Sequence, residues 1–77
     1  MLNLLMMLTD YILIQLNGKP FNCVPGISLR DIVLYLDLDF SSVVIEYNSE
    51  IIEKCDLSKT KVTAGDKIEV VTIVGGG

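Results

Sequence analysis

The sequence has no histidine and no tryptophan, two prolines, two cysteines and few aromatic residues. Without histidine, the commonest general base and metal ligand is missing. Cys23 and Cys55 are too far apart for a CxxC pair or a zinc-ligand spacing. Both are read as ordinary buried or half-buried thiols, with a reducing compartment as the default. Basic residues are scarce: six against ten acidic ones, for a net charge of -4 at pH 7. Phosphate binding needs a basic face, which argues against nucleic acid as the main partner. A partner with a basic surface stays open. No apolar run reaches the ~20 residues that span a bilayer, so no membrane association is expected. The opening "MLNLLMMLTD" is too short for that, and it lacks the basic region and cleavage site of a signal peptide. With no nucleophile–base pair and no metal constellation, a free-standing enzyme is the least favoured class.

What is present fits one small domain. The chain has 77 residues, 51% of them hydrophobic, which suits an ordered core rather than disorder. Residues 1–10 are read as an N-terminal extension, 11–74 as the folded domain and 75–77 as a flexible glycine tail. In "YILIQLNGKPFNCV", Asn17-Gly18 separates two β-prone runs. Both central positions of a type I′ turn need positive φ, so Asn-Gly there is a strong hairpin marker. Tyr11–Leu16 and Lys19–Val24 should pair antiparallel, with Ile12, Ile14 and Leu16 toward the core. Pro20 cannot donate to a ladder and pushes the second strand to a sheet edge.

"PGISLRDIVLYL" then breaks the strand at Pro25-Gly26 and starts a helix at Ser28. Asp31 follows three residues on, a capping-box-like pattern. Leu29, Ile32, Val33 and Leu36 form the apolar stripe, and the helix should end near Leu36 to Leu38. "VVIEYNSEII" reads as strand Val43–Tyr47, a turn at Asn48-Ser49 and a short strand Glu50–Ile52. "EKCDLSKTKV" reads as an irregular crossing with room for one helical turn. "AGD" turns into a last strand, Lys67–Val74. One amphipathic helix covers one face of one mixed sheet. The expected architecture is α+β, a five-stranded sheet on one helix in the order β-β-α-β-β-β, with first and last strands parallel in the centre. That is a β-grasp, the ubiquitin-like roll. Burial of the central strands on both faces would account for their apolar character.

The end is the most specific feature. A Gly-Asp turn leads into "KIEVVTIV" and then Gly75, Gly76 and Gly77. Together with "LNGKPF", "SLRDIVLYL" and "VVIEYNSEII", this resembles the ThiS family of sulfur carriers in thiamin thiazole synthesis. The resemblance runs from about Tyr11 to the end. Met1–Asp10 is extra, and "EKCDLSKTKV" lacks the Pro-Arg and aromatic residue common in the family there.

The resemblance implies that the Gly77 carboxylate is the reactive group. An E1-like enzyme of the ThiF type would adenylate it with ATP and Mg²⁺, a persulfide donor would convert it to a thiocarboxylate, and thiazole synthase (ThiG type) would receive the sulfur. The carrier itself would bind no cofactor or metal, would not be an enzyme, and would be a monomer when free, in bacterial cytoplasm or plastid stroma. The glycines suit that chemistry. A carboxylate is a poor electrophile until adenylation supplies a leaving group. Gly75 and Gly76 alone allow a narrow partner channel to close around the chain. Val71, Ile73 and Val74 are candidates for a docking patch, with ordinary core or edge packing as the alternative. A MoaD-like carrier of molybdopterin synthesis and a non-activated ubiquitin-like interaction module are the rival readings.

Overall fold

The computed structural model describes residues 11–73; Met1–Asp10 and Val74–Gly77 lie outside the described residues, and with them the proposed extension, the glycine tail and Val74 of the docking patch. The first hairpin forms as its turn chemistry dictates. Strand β1 (Ile12–Leu16) pairs antiparallel with β2 (Lys19–Cys23) through Ile14↔Phe21 and Leu16↔Lys19. Asn17 and Gly18 take φ 51° and 79°, the left-handed pair of a type I′ turn. Pro20 lies on the edge strand, as expected.

Helix α1 (Leu29–Tyr35) is capped at both ends. The Ser28 hydroxyl accepts from the Asp31 N–H at 3.1 Å, and the Asp31 carboxylate accepts from the Ser28 N–H at 2.9 Å, a full capping box. At the other end Asp37 stands at φ 57°, while the Leu38 and Asp37 N–H groups donate to the Val33 and Leu34 carbonyls. That is a Schellman arrangement with aspartate in place of the usual glycine. The stripe Leu29, Ile32 and Val33 is fully buried.

Strand β3 (Val43–Tyr47) turns through Asn48-Ser49 into β4 (Glu50–Ile52), and β5 (Lys67–Thr72) closes the sheet in the order β2-β1-β5-β3-β4. β1 and β5 are parallel and central, and the other pairs are antiparallel. The crossing segment holds one 3-10 turn, Lys54–Asp56. It laces the helix start to the sheet: Leu29 N–H donates to the Thr60 carbonyl, and Val62 N–H to that of Ile27. Leu57 and Val62 from this segment complete a core of Ile14, Leu29, Ile32, Val33, Ile45 and Ile68. The chain is a β-grasp.

Three expectations are corrected. The central strands are not buried on both faces: Leu13 is 53% and Val71 50% exposed. A single helix makes a single covering layer, and among the described residues nothing lies over the other side. Cys55 is exposed, in the 3-10 turn, whereas Cys23 is buried on the core face of β2. Val24 and Tyr11 fall just outside the hairpin strands and are exposed.

Candidate functional site

The tail-bearing strand is the place to look for function, because β5 carries the chain toward Gly77. Its alternation is strict at the start: Ile68 is buried and Val70 half-buried, while Lys67, Glu69 and Val71 face solvent. On one flank it pairs with β3 from Tyr47↔Ile68 to Val43↔Thr72. The Ile73 N–H adds a bond to the Ser42 carbonyl at 2.7 Å, so that flank is secured to the last described residue. On the other flank the β1 pairing is short, Gln15↔Lys67 and Leu16↔Ile68. Asn17 then extends it: its Oδ1 accepts from the Val70 N–H at 2.7 Å and its Nδ2 donates to the Val70 carbonyl at 3.3 Å.

The start of β5 is fixed by a second turn asparagine and by one buried acid. Asn48 Oδ1 accepts from the Lys67 N–H at 2.8 Å, and the Asn48 N–H donates to the Lys67 carbonyl. Asp66, 8% exposed, accepts from the Tyr47 hydroxyl at 2.5 Å, Thr63 N–H at 2.7 Å, and the Asn48 amide and Thr63 hydroxyl at 3.2 Å. Burial alone would push the Asp66 carboxyl up; the four donors outweigh it and hold it below the usual carboxylate value. The bond to Asp66, helped by burial and by the carboxylate charge, pushes Tyr47 up to about 12.

The pH dependence follows from these directions. Asp66 binds its proton less readily folded than unfolded, so its stabilisation is full above the unfolded value and disappears as pH falls through the lower folded one. Tyr47 binds its proton more tightly folded, so its stabilisation is full below the usual tyrosine value of about 10 and is lost as pH rises toward 12. Urea midpoints for wild type and Asp66→Asn should therefore converge below about pH 4, the unfolded aspartate range.

The outer sheet face near the tail is apolar. Val71 pairs with Val44 across the strands, Ile73 is 51% exposed, and Ile51 on β4 is 72% exposed. Of the docking residues expected from the sequence, Val71 and Ile73 are both on the surface rather than in the core. Gly75, Gly76, Gly77 and Val74 lie outside the described residues. The roles of Asn17, Asn48 and Asp66 were not foreseen. The available signal was asparagine, rather than glycine, at the first position of each turn. Among the described residues, no group of three or more His, Cys, Asp or Glu side chains could hold a metal ion. No helix among them is long and apolar enough to cross a membrane.

Comparison with known proteins bears on this arrangement. A family model described as the ThiS family matches residues 14–77, which takes in β1, the helix, β5 and everything after it. The chain belongs to the ThiS family. Among solved structures, the thiamine biosynthesis protein ThiS of Geobacter metallireducens superposes on this ThiS-family chain with a TM-score of 0.75 at 26% identity, covering 86% of this chain and all of that one. The ycf40 protein of Porphyra purpurea is 41% identical over 71 residues, 92% of this chain and all of the relative. A thiazole synthase of Paramagnetospirillum magneticum is 32% identical over 62 residues, 80% of this chain but 19% of that protein. This ThiS-family member therefore matches the ycf40 protein end to end and only a small part of the thiazole synthase.

Proposed function

We propose that the chain is a sulfur carrier protein of thiamin biosynthesis, and that it acts as a cosubstrate rather than a catalyst. The observation that carries this reading is the family match across residues 14–77, which places the terminal glycines inside the matched region. In this reading a ThiF-type enzyme, using ATP and Mg²⁺, adenylates the Gly77 carboxylate. A persulfide sulfur attacks the acyl carbon and AMP departs, which leaves an acyl disulfide to the donor. A thiol then attacks the donor's own sulfur, breaks the S–S bond, forms a disulfide with the donor and releases the thiocarboxylate. Thiazole synthase of the ThiG type then takes the sulfur. The match to part of a thiazole synthase supports that last partner. The relatives named ycf40 support the plastid stroma over bacterial cytoplasm.

Domain and tail divide the work. The folded domain supplies affinity through the apolar outer face at Val71 and Ile73, with Val74 next in sequence. Gly75 and Gly76 thread the partner's channel. Ordering each tail residue costs roughly 1–2 kcal/mol, which favours release after each transfer. A Val71→Asp variant places a charge where apolar contact is needed. It should raise the adenylating enzyme's KM for the carrier about tenfold with kcat unchanged; an unchanged KM removes Val71 from the docking surface.

The reading is tested by supplying the thiocarboxylate form to thiazole synthase and measuring thiazole formation. Failure there, with success in dithiolene formation, moves the chain to a MoaD-like role. An interaction module would bind its partner whether or not Gly76 and Gly77 are present.

A further inference from the structure

The identity of residue 17 is over-determined by its turn. The type I′ hairpin needs a left-handed residue there, φ 51°, which glycine or aspartate could also supply. Of these, only asparagine carries both a donor and an acceptor on its side chain. Both are used, and both on one residue of another strand: Val70 N–H to Oδ1 at 2.7 Å and Nδ2 to the Val70 carbonyl at 3.3 Å. The Asn17 backbone N–H already donates to the Ile68 carbonyl at 2.9 Å. The side-chain amide therefore acts as the next peptide group of a ladder whose strand has turned away.

The place of this contact gives it consequence. Beyond Ile68 the β1 flank of β5 has no backbone pairing in the β1–β5 register. Asn17 moves the last hold on that flank to Val70, while Ser42 holds the opposite flank at Ile73. Four residues separate Ile73 from the Gly77 carboxylate, an extended reach of roughly 14 Å. A strand end fixed on both flanks sets the point from which that short reach begins.

We propose that Asn17 is a positioning residue for the tail: its side-chain amide fixes the end of β5, the point from which Gly77 reaches the activating enzyme. The proposal rests on the carrier reading and adds a residue far from the C-terminus in sequence. Asn48 provides an internal comparison. It brackets Lys67 at the opposite end of the same strand, from the same first position of a type I′-like turn, φ 49°. Loss of its amide loosens β5 away from the tail.

The test has two arms on full-length protein. In the first, amide hydrogen exchange of free Asn17→Gly should show Val70 exchanging about tenfold faster, the scale of one net hydrogen bond, with Ile14 and Ile45 protected as in wild type. In the second, pyrophosphate release by a ThiF-type enzyme with ATP and Mg²⁺ is measured against carrier concentration. Asn17→Gly should lower kcat about tenfold with KM within twofold, as misplacement of a reacting group does. Asn17→Asp keeps the acceptor and should fall between. Asn48→Gly should lower thermal stability and leave kcat unchanged.

Unchanged exchange at Val70, unchanged kcat in Asn17→Gly, or an equal loss of kcat in Asn48→Gly overturns the proposal. If the wild-type chain itself is not activated by an enzyme shown to adenylate another carrier, the carrier reading fails and takes this proposal with it. Normal activation of wild type with normal Asn17→Gly kinetics defeats the proposal alone.

Discussion

A chain lengthened by one residue after Gly77, or shortened by Gly76 and Gly77, is expected to lose all sulfur transfer and remain folded. The two halves of that result have separate causes. In the proposed carrier role, transfer depends on one carboxylate at one distance from the docked domain. An added residue moves the carboxylate about 3.5 Å further out, and a two-residue deletion withdraws it by about twice that. Reacting atoms must approach within about 3–3.5 Å, so either change removes the productive geometry. Folding depends on side chains elsewhere. The buried core described here runs from Ile14 to Ile68, and the β3–β5 pairing ends at Thr72. Circular dichroism and thermal melting should match wild type, while thiocarboxylate formation and thiazole formation are absent. Transfer by either variant at the wild-type rate would separate function from the terminal carboxylate.

The largest effect on stability is expected at Ile14. It lies on central β1, opposite Phe21 of β2, and is 1% exposed. It belongs to the cluster that joins the sheet to Leu29, Ile32 and Val33 of the helix. Ile14→Ala removes buried methyl groups and leaves a cavity, at a cost of about 2–5 kcal/mol. A chain of this length has roughly 4–12 kcal/mol in total, so the loss is a large share of it. The melting temperature should fall by at least about 8 °C. Val71→Ala, on the same sheet but on the open face, should stay within about 0.5 kcal/mol of wild type. Equal costs at the two positions would contradict the assignment of inner and outer faces.

That contrast also shows what the sequence reveals and what it hides. Alternation in "YILIQL" and "KIEVVT" correctly sorts Ile14 and Ile68 from Gln15 and Glu69, because period two is a property of the strand itself. It does not show whether a second layer covers the far face. Leu13 and Val71, on the face that burial on both sides would have enclosed, are half exposed. The helix was legible for a local reason: Ser28 and Asp31 satisfy each other three residues apart. The same holds for the turn at Asn17-Gly18, where backbone conformation restricts the choice of residue.

Asn17, Asn48 and Asp66 are different. Their partners lie 53, 19 and 19 residues away for Val70, Lys67 and Tyr47. No local pattern encodes such contacts; they exist only once β5 is inserted between β1 and β3. Cys55 was misassigned because cysteine is usually buried, whereas a short 3-10 turn on the crossing segment leaves it at the surface. The tail is the opposite case. It is singled out by composition and position alone, three glycines in a row at residues 75–77, and it lies outside the described residues.

In the proposed carrier role, the Gly77 carboxylate becomes a thiocarboxylate. Intact mass spectrometry tests it, after incubation with a ThiF-type enzyme, ATP, Mg²⁺, a persulfide source and a thiol reductant. The expected result is a mass change equal to one oxygen replaced by sulfur, mapped to the C-terminal peptide and dependent on ATP. An unchanged mass, with the same enzyme converting another carrier in a parallel reaction, would contradict it.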